Sequence, residues 1–270
     1  MQPDLAAYFA HLGYQGKGEP TLATLGELHR LHPQAIAFEN LAPLLAEPVR
    51  LDLPSLQRKL LAGGRGGWCF EHNLLLQSVL EALGYSVTGL AARVLWGQSP
   101  QSTPPRSHML LRVDMAGEAY IADVGFGGLT LTAPLRLVAD LVQQTPHGRF
   151  VLRSGARGWS LWALLPQGPS VLYGFDLQPQ LPADYEYANW YLSTHPDSLF
   201  RNALIAARAG PQIRHALHNA RYSLHAVDGA VCSQTVTSVS VLRTLLQDVF
   251  AVTVPPGEHA DARLERLLQN

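Results

Sequence analysis

The hydrophobic period of this chain changes at Tyr85, from helical spacing before it to strand-like runs after it. Upstream, "PDLAAYFAHLG" places Leu5, Tyr8, Phe9 and Leu12 at i, i+3, i+4 and i+7 and stops at Gly13. "TLATLGELHRLH" repeats the pattern through Leu22, Leu25 and Leu28, with Thr21 as N-cap. "LPSLQRKLLAGG" predicts a third short helix closed by paired glycines. A fourth runs from Trp68 to Leu83, with Gly84 as its stop.

Downstream, "SVTGLAARVLW" predicts a strand, and "SHMLLRVDM" and "EAYIADVGF" a pair joined by a tight turn at Ala116-Gly117. "RFVLR", "WSLWALL" and "SVLYGFDL" follow at regular spacing, which suggests a small antiparallel barrel or a strongly curved sheet. "PADYEYANWYLSTHPDS" reads as a helix and a connecting loop. From about Asn202 short strands ("ALIAAR", "RYSLHAV", "VCSQTVTS") alternate with helices ("SVLRTLLQDVF", "HADARLERLLQ"). The expectation is an α+β fold in three parts: a helical bundle over residues 1–84, a β-barrel over 85–190 and an α/β end over 191–270.

A chain of 270 residues with 47% apolar content can bury a sizeable core. Its formal net charge of -1, with no Lys/Arg cluster beyond Arg58 and Lys59, gives no reason to expect nucleic acid as a partner. Its two cysteines, Cys69 and Cys232, are too few for a disulfide framework and favour a reducing compartment. The N-terminus lacks the basic start and apolar centre of a signal peptide. No apolar run approaches the roughly 18 residues of a membrane span. These features predict a soluble cytoplasmic protein; they carry no signal for its oligomeric state.

The stretch "RGGWCFEHN" sets Cys69 in the first turn of the fourth helix, behind Arg65, Gly66 and Gly67. A thiol attacks as thiolate, and a helix N-terminus, a cation or a paired His favours that form. The unpaired N–H groups there can also receive the oxyanion of a tetrahedral intermediate. A lone Cys with apolar neighbours is more often core filler. Of eleven histidines, His108 opens the strand "HMLLRV", and Asp123 ends the neighbouring strand "AYIAD". Adjacent antiparallel strands bring one's start beside the other's end. Asp123 could then orient the His108 ring and leave its other nitrogen for Cys69, as in a nucleophile–base–acid triad. An Asp at a strand end is also a common turn former.

"RGGWCFEHN", "RSHMLL" and "DVGFGG" resemble the arylamine N-acetyltransferases, in the same order and at similar spacing. "AFENL" (37–41) and "NWYLSTHPDSLF" (189–200) match prokaryotic members too, so the resemblance covers most of the chain. It implies a helical domain, a β-barrel domain and an α/β lid around a cysteine-protease-like core. It also implies ping-pong transfer of an acetyl group from acetyl-CoA to an aromatic amine or hydrazine. Under it, Cys69 is the acyl acceptor, His108 its ion-pair partner and Asp123 the orienting acid. Phe38, Phe126 and Phe200 fall where the family places pocket aromatics; ordinary core packing is the equal alternative. Ser107, Gly125 and Gly127 fall in the same blocks as substrate or CoA contacts. Ala37 stands where members often have Pro, and Trp68 where prokaryotic members more often have Tyr or Phe.

Other features are weaker. "GFGG" is a turn or part of the CoA cleft, not a dinucleotide fingerprint, because Thr130 stands where that motif needs Gly or Ala. "GYQGKGE" reads as a surface loop. Cys69 and His72 have C-x2-H spacing without a second ligand pair, so no metal is expected. His72 reads as an ordinary helix position. Glu71 and Arg65 read as a polar network at the helix entrance or a surface pair. Cys232, His32 and His195 read as structural. The competing readings are a cysteine hydrolase or amidase on the same triad and a non-catalytic binder. Loading of Cys69 by CoA thioesters separates them.

Overall fold

The computed structural model of the chain describes residues 2–99 and 101–269. Asp4 accepts the Ala7 N–H at 2.9 Å and starts α1 (Leu5–Leu12), which Gly13 ends at φ 69°. Thr21 caps α2 (Leu22–Ala35) through the Thr24 N–H. A two-residue strand, β1 (Phe38–Glu39), and the short helices α3 (Leu41–Leu44) and α4 (Leu53–Gln57) follow. The predicted third helix departs from α geometry at Arg58, where residues Arg58–Ala62 form a π turn. This wider turn delivers the Lys59 ammonium to the buried Glu71 carboxylate, 2.7 Å away. Helix α5 (Cys69–Ala82) buries Phe70, Leu75, Leu76, Val79 and Leu80.

The strands between Tyr85 and Asp176 form one antiparallel sheet. They are β2 (Ser86–Val94), β3 (Arg106–Met115), β4 (Glu118–Ala122), β5 (Leu135–Arg136), β6 (Val142–Thr145), β7 (Gly148–Gly155), β8 (Gly158–Leu165) and β9 (Gly168–Phe175). Their spatial order is β5-β4-β3-β2-β9-β8-β7-β6. Ala116 (φ 49°) and Gly117 (φ 81°) are both left-handed, the tight-turn geometry of a two-residue hairpin between β3 and β4. The curl brings the end strands together. There the Gln143 side-chain amide accepts the Arg136 N–H at 2.8 Å and donates to the Arg136 carbonyl at 2.9 Å. One side chain thus stands in for a peptide group at the barrel seam.

Helices α6 (Pro182–Thr194) and α7 (Leu199–Asn202) lead to a second antiparallel sheet. It comprises β10 (Ile205–Ala209), β11 (Ile213–His218), β12 (Arg221–Ala226) and β13 (Val231–Thr235), and is followed by α8 (Val239–Asp248) and α9 (Glu258–Leu268). β1 pairs with β10 as the edge strand of this sheet, so an N-terminal segment joins the C-terminal region. The sequence reading misses β1 because it is only two residues long. It misses β11 because the buried face of that strand is carried partly by Arg214, which donates to the carbonyls of Gly128, Thr130 and His147.

The core is organised around β3. Met109, Leu111 and Val113 pack with the buried faces of α1, α2 and α5, while Leu110 joins the barrel interior with Leu90, Phe150 and Leu161. A one-residue slip of β3 would send every one of its side chains, His108 included, to the opposite face. His108 shares the Leu110 face by the pleat and comes in ring contact with Tyr173, their centroids 4.9 Å apart.

Candidate active site

Cys69 is the first residue of α5, and Trp68 before it is extended. The Glu71 carboxylate accepts the Trp68 N–H at 3.1 Å, and the first helical bond runs from the His72 N–H to the Trp68 carbonyl. The N–H groups of Cys69 and Phe70 lie ahead of that bond, at the positive end of the helix dipole. The loop before Cys69 packs so closely on the Ala37 carbonyl that a β-carbon on Gly66 would fall 2.0 Å from its oxygen. Cys69 is buried and its thiol donates to the Ser107 carbonyl at 3.8 Å.

His108 Nε2–H donates to Asp123 Oδ2 at 2.7 Å, and the Cys69 side chain lies near enough to the same ring to act on its charge. Both His108 and Asp123 are buried. Burial alone disfavours a charged imidazole, but the Asp123 carboxylate and the Cys69 side chain push the His108 pKa up to about 10. Burial likewise raises a carboxyl, yet the His108 charge and hydrogen bonds from His108, Gly125 and Asn73 hold Asp123 below its ordinary range. The Asp123 oxygens accept four donors: His108, Tyr173 O–H at 2.9 Å, Asn73 Nδ2 at 3.1 Å and the Gly125 N–H at 3.0 Å. Its own N–H donates to His29 Nε2 at 3.0 Å. A carboxylate so surrounded is fixed in position and kept ionised.

Phe38 is buried and stacked on His72, with ring centroids 6.5 Å apart and planes 8° from parallel. Phe200 stands 6.3 Å from Phe38 and 5.1 Å from Trp68, centroid to centroid. Phe126 meets His108 edge-on at 5.2 Å. Gly127, at φ 87°, turns the loop against Phe38. The "GFGG" segment is a turn closed by Thr130, whose N–H donates to the Gly127 carbonyl and whose hydroxyl donates to the Asp123 carbonyl. The structure thus gathers the sequence-derived residues in one region: the His108–Asp123 pair with Phe126 against the imidazole, Cys69 on the Ser107 carbonyl and the Gly125 loop, and Phe38 with Gly127 and Phe200 against it.

Three details differ from the sequence reading or escape it. Arg65 and Glu71 belong to a polar network at the helix entrance, as one of the two sequence readings has it, but not as a direct surface pair: Arg65 donates to Glu39 at 2.9 Å, while Glu71 pairs with Lys59 and accepts the Trp68 N–H. His72 is no ordinary helix position. It is fully buried, Nε2 faces the carbonyls of Gly67 and Ala37, and Nδ1 accepts from His32 Nε2 at 2.9 Å. Burial lowers its pKa to about 4. Asn73, Tyr173 and His29 hold Asp123 and were not singled out. Asn73 at least lies inside the "RGGWCFEHN" block, while Tyr173 sits in an ordinary strand pattern. Among the described residues, no group of three or more His, Cys, Asp or Glu side chains could hold a metal ion.

The N-acetyltransferase family model matches residues 21–258. The chain is 39% identical to the arylamine N-acetyltransferase of Escherichia coli, over 96% of this chain and 92% of that protein. It is 40% identical to the arylamine N-acetyltransferase / N-hydroxyarylamine O-acetyltransferase of Salmonella typhimurium, over 98% and 94%. The chain belongs to the arylamine N-acetyltransferase family. The fold agrees: the structure of the Mycobacterium marinum arylamine N-acetyltransferase in complex with CoA superposes with a TM-score of 0.94 at 36% identity, covering 98% of this chain and 99% of that one. The Salmonella typhimurium arylamine N-acetyltransferase structure superposes at 0.91 and 39% identity. Among the described residues no helix is long and apolar enough to cross a membrane.

Proposed function

We propose that this arylamine N-acetyltransferase moves the acetyl group of acetyl-CoA to aromatic amines or hydrazines through a thioester on Cys69. The observation that carries the reading is the buried His108–Asp123 pair beside Cys69, in which the Asp123 carboxylate and the Cys69 side chain hold the His108 pKa up at about 10 and Asp123 accepts four hydrogen bonds. His108 takes the thiol proton through the nitrogen Asp123 leaves free. The thiolate attacks the acetyl carbonyl, and the oxyanion faces the N–H groups at the start of α5. Collapse breaks the bond between acetyl carbon and CoA sulfur, and the departing sulfur takes the proton from His108.

The thioester on Cys69 is nearly isoenergetic with that of acetyl-CoA, so loading is reversible. In the second half-reaction the amine attacks the same carbonyl, its proton passes to His108, and Cys69 leaves as the thiol once reprotonated. The product amide is the more stable acyl compound, so this step runs downhill. Phe38, Phe126 and Phe200 form an apolar wall that excludes competing water. Ser107, Gly125 and Gly127 line the approach to Cys69 as donor contacts. In this reading residues 1–84 supply the nucleophile, 85–190 the base and acid, and 191–270 the lid. A free, functional thiol suits a reducing cytoplasm.

Steady-state rates with acetyl-CoA and an arylamine varied together test the order of events. Parallel double-reciprocal lines are expected. Intersecting lines would overturn the two-step path, and release of CoA at full rate without amine would instead favour a hydrolase.

A further inference from the structure

The sequence holds no run of basic residues, yet folding gathers three arginines around one cavity of about 370 Å³ between α3, α7 and α9. Its walls include Arg201, His259, Arg263 and Arg266 over an apolar floor of Leu44 and Leu45; among the described residues no Asp or Glu lines it. None of its lining residues belongs to the Cys69 site.

The charge pattern of α9 points the same way. His259, Arg263 and Arg266 follow at i, i+4 and i+7 and share one face, while Glu258, Asp261 and Glu265 fall elsewhere. The pairs of Asp, Glu and Arg three or four apart are therefore like-charged: 258/261, 261/265 and 263/266. Surface helices gain from opposite charges at these spacings and lose from like ones. On the acidic side Asp261 is answered by Arg243 at 2.6 Å. On the cavity side main-chain oxygens do the holding: Arg201 donates to the Thr194 carbonyl at 2.7 Å, and Arg263 donates to the Arg201 carbonyl. Carbonyls fix the Arg201 and Arg263 guanidiniums without cancelling their charge. Burial and the nearby charges of Arg266 and Arg201 lower the Arg263 pKa, as expected for cations crowded together.

We propose that this cleft binds a small phosphate-bearing molecule at a site separate from the acetyl-transfer centre. Fixed guanidiniums suit phosphate oxygens, which accept paired N–H donors, and the leucine floor suits an apolar body attached to the phosphate.

Isothermal titration of the intact protein with pyrophosphate at low ionic strength tests this, with and without saturating CoA. One site unaffected by CoA is expected, weakened at least about tenfold in Arg263→Gln and in Arg266→Gln, with the KM for acetyl-CoA unchanged in both. Arg263→Lys should lose less than Arg263→Gln. Absence of binding to the wild type, or binding undiminished in both Gln variants, would overturn the site. Displacement of pyrophosphate by CoA, together with a raised KM for acetyl-CoA in the variants, would assign the cleft to the donor instead and overturn its independence.

Discussion

A β-carbon on Gly125 would lie 2.7 Å from the Cα of Cys69 and 3.0 Å from its carbonyl oxygen. The loop after β4 therefore rests directly on the backbone of the first turn of α5, and this contact sets Asp123 and Cys69 at a fixed separation. Gly125→Ala must push the loop and helix apart. Overpacking of this kind costs about 1–3 kcal/mol, and a shift near 1 Å at a reacting centre costs about 10²-fold in rate. The variant should fold, with a lowered Tm, and lose about 10² in kcat/KM. Wild-type kinetics in a folded Gly125→Ala protein would mean that the close approach is dispensable.

Asp123→Asn keeps the shape of the side chain and removes the charge that keeps His108 basic. The imidazole pKa should fall well below about 10, and kcat/KM should drop by about 10³-fold or more, as when the acid of a triad is neutralised. NMR titration of the His108 ring beside the pH–rate profile checks both parts. An unshifted His108 would show that Asp123 is not what raises it.

The buried histidines make stability depend on pH in a defined direction. His29 and His72 are pushed down to about 4 by burial, so the folded state refuses protons that the unfolded chain takes near pH 6.5. Their contribution is full above about pH 6.5 and is lost as pH falls toward 4, by about 1.4 kcal/mol per pH unit for each. His108 runs the other way: raised to about 10, it contributes fully below about pH 6.5 and loses that contribution as pH rises through about 10. Together these groups place a stability maximum near pH 6.5. Urea unfolding from pH 4.5 to 9 should show both limbs; a flat acid limb would mean that His29 and His72 are protonated in the folded protein.

Local rules read most of this architecture from the sequence. Gly13, Gly84 and the Ala116-Gly117 pair act through their own backbone conformations, and Thr21 through a bond to its third neighbour, so short stretches reveal them. The hydrogen-bonded surroundings of Asp123 were out of reach because His29 lies 94 residues away and Tyr173 and Asn73 lie 50 away. The same distance problem hides the pairing of β1 with β10 and the burial of Arg214. His72 was misread because a histidine on a helix looks alike whether it meets water or two carbonyls.

Intact-protein mass spectrometry of the wild type and Cys69→Ala, each mixed with acetyl-CoA and then with an arylamine, tests the central claim most directly. The wild type alone should gain a single acetyl group and lose it on adding the amine, as the acetylated amine appears. No adduct on the wild type, or an equal adduct on Cys69→Ala, would contradict Cys69 as the acetyl carrier.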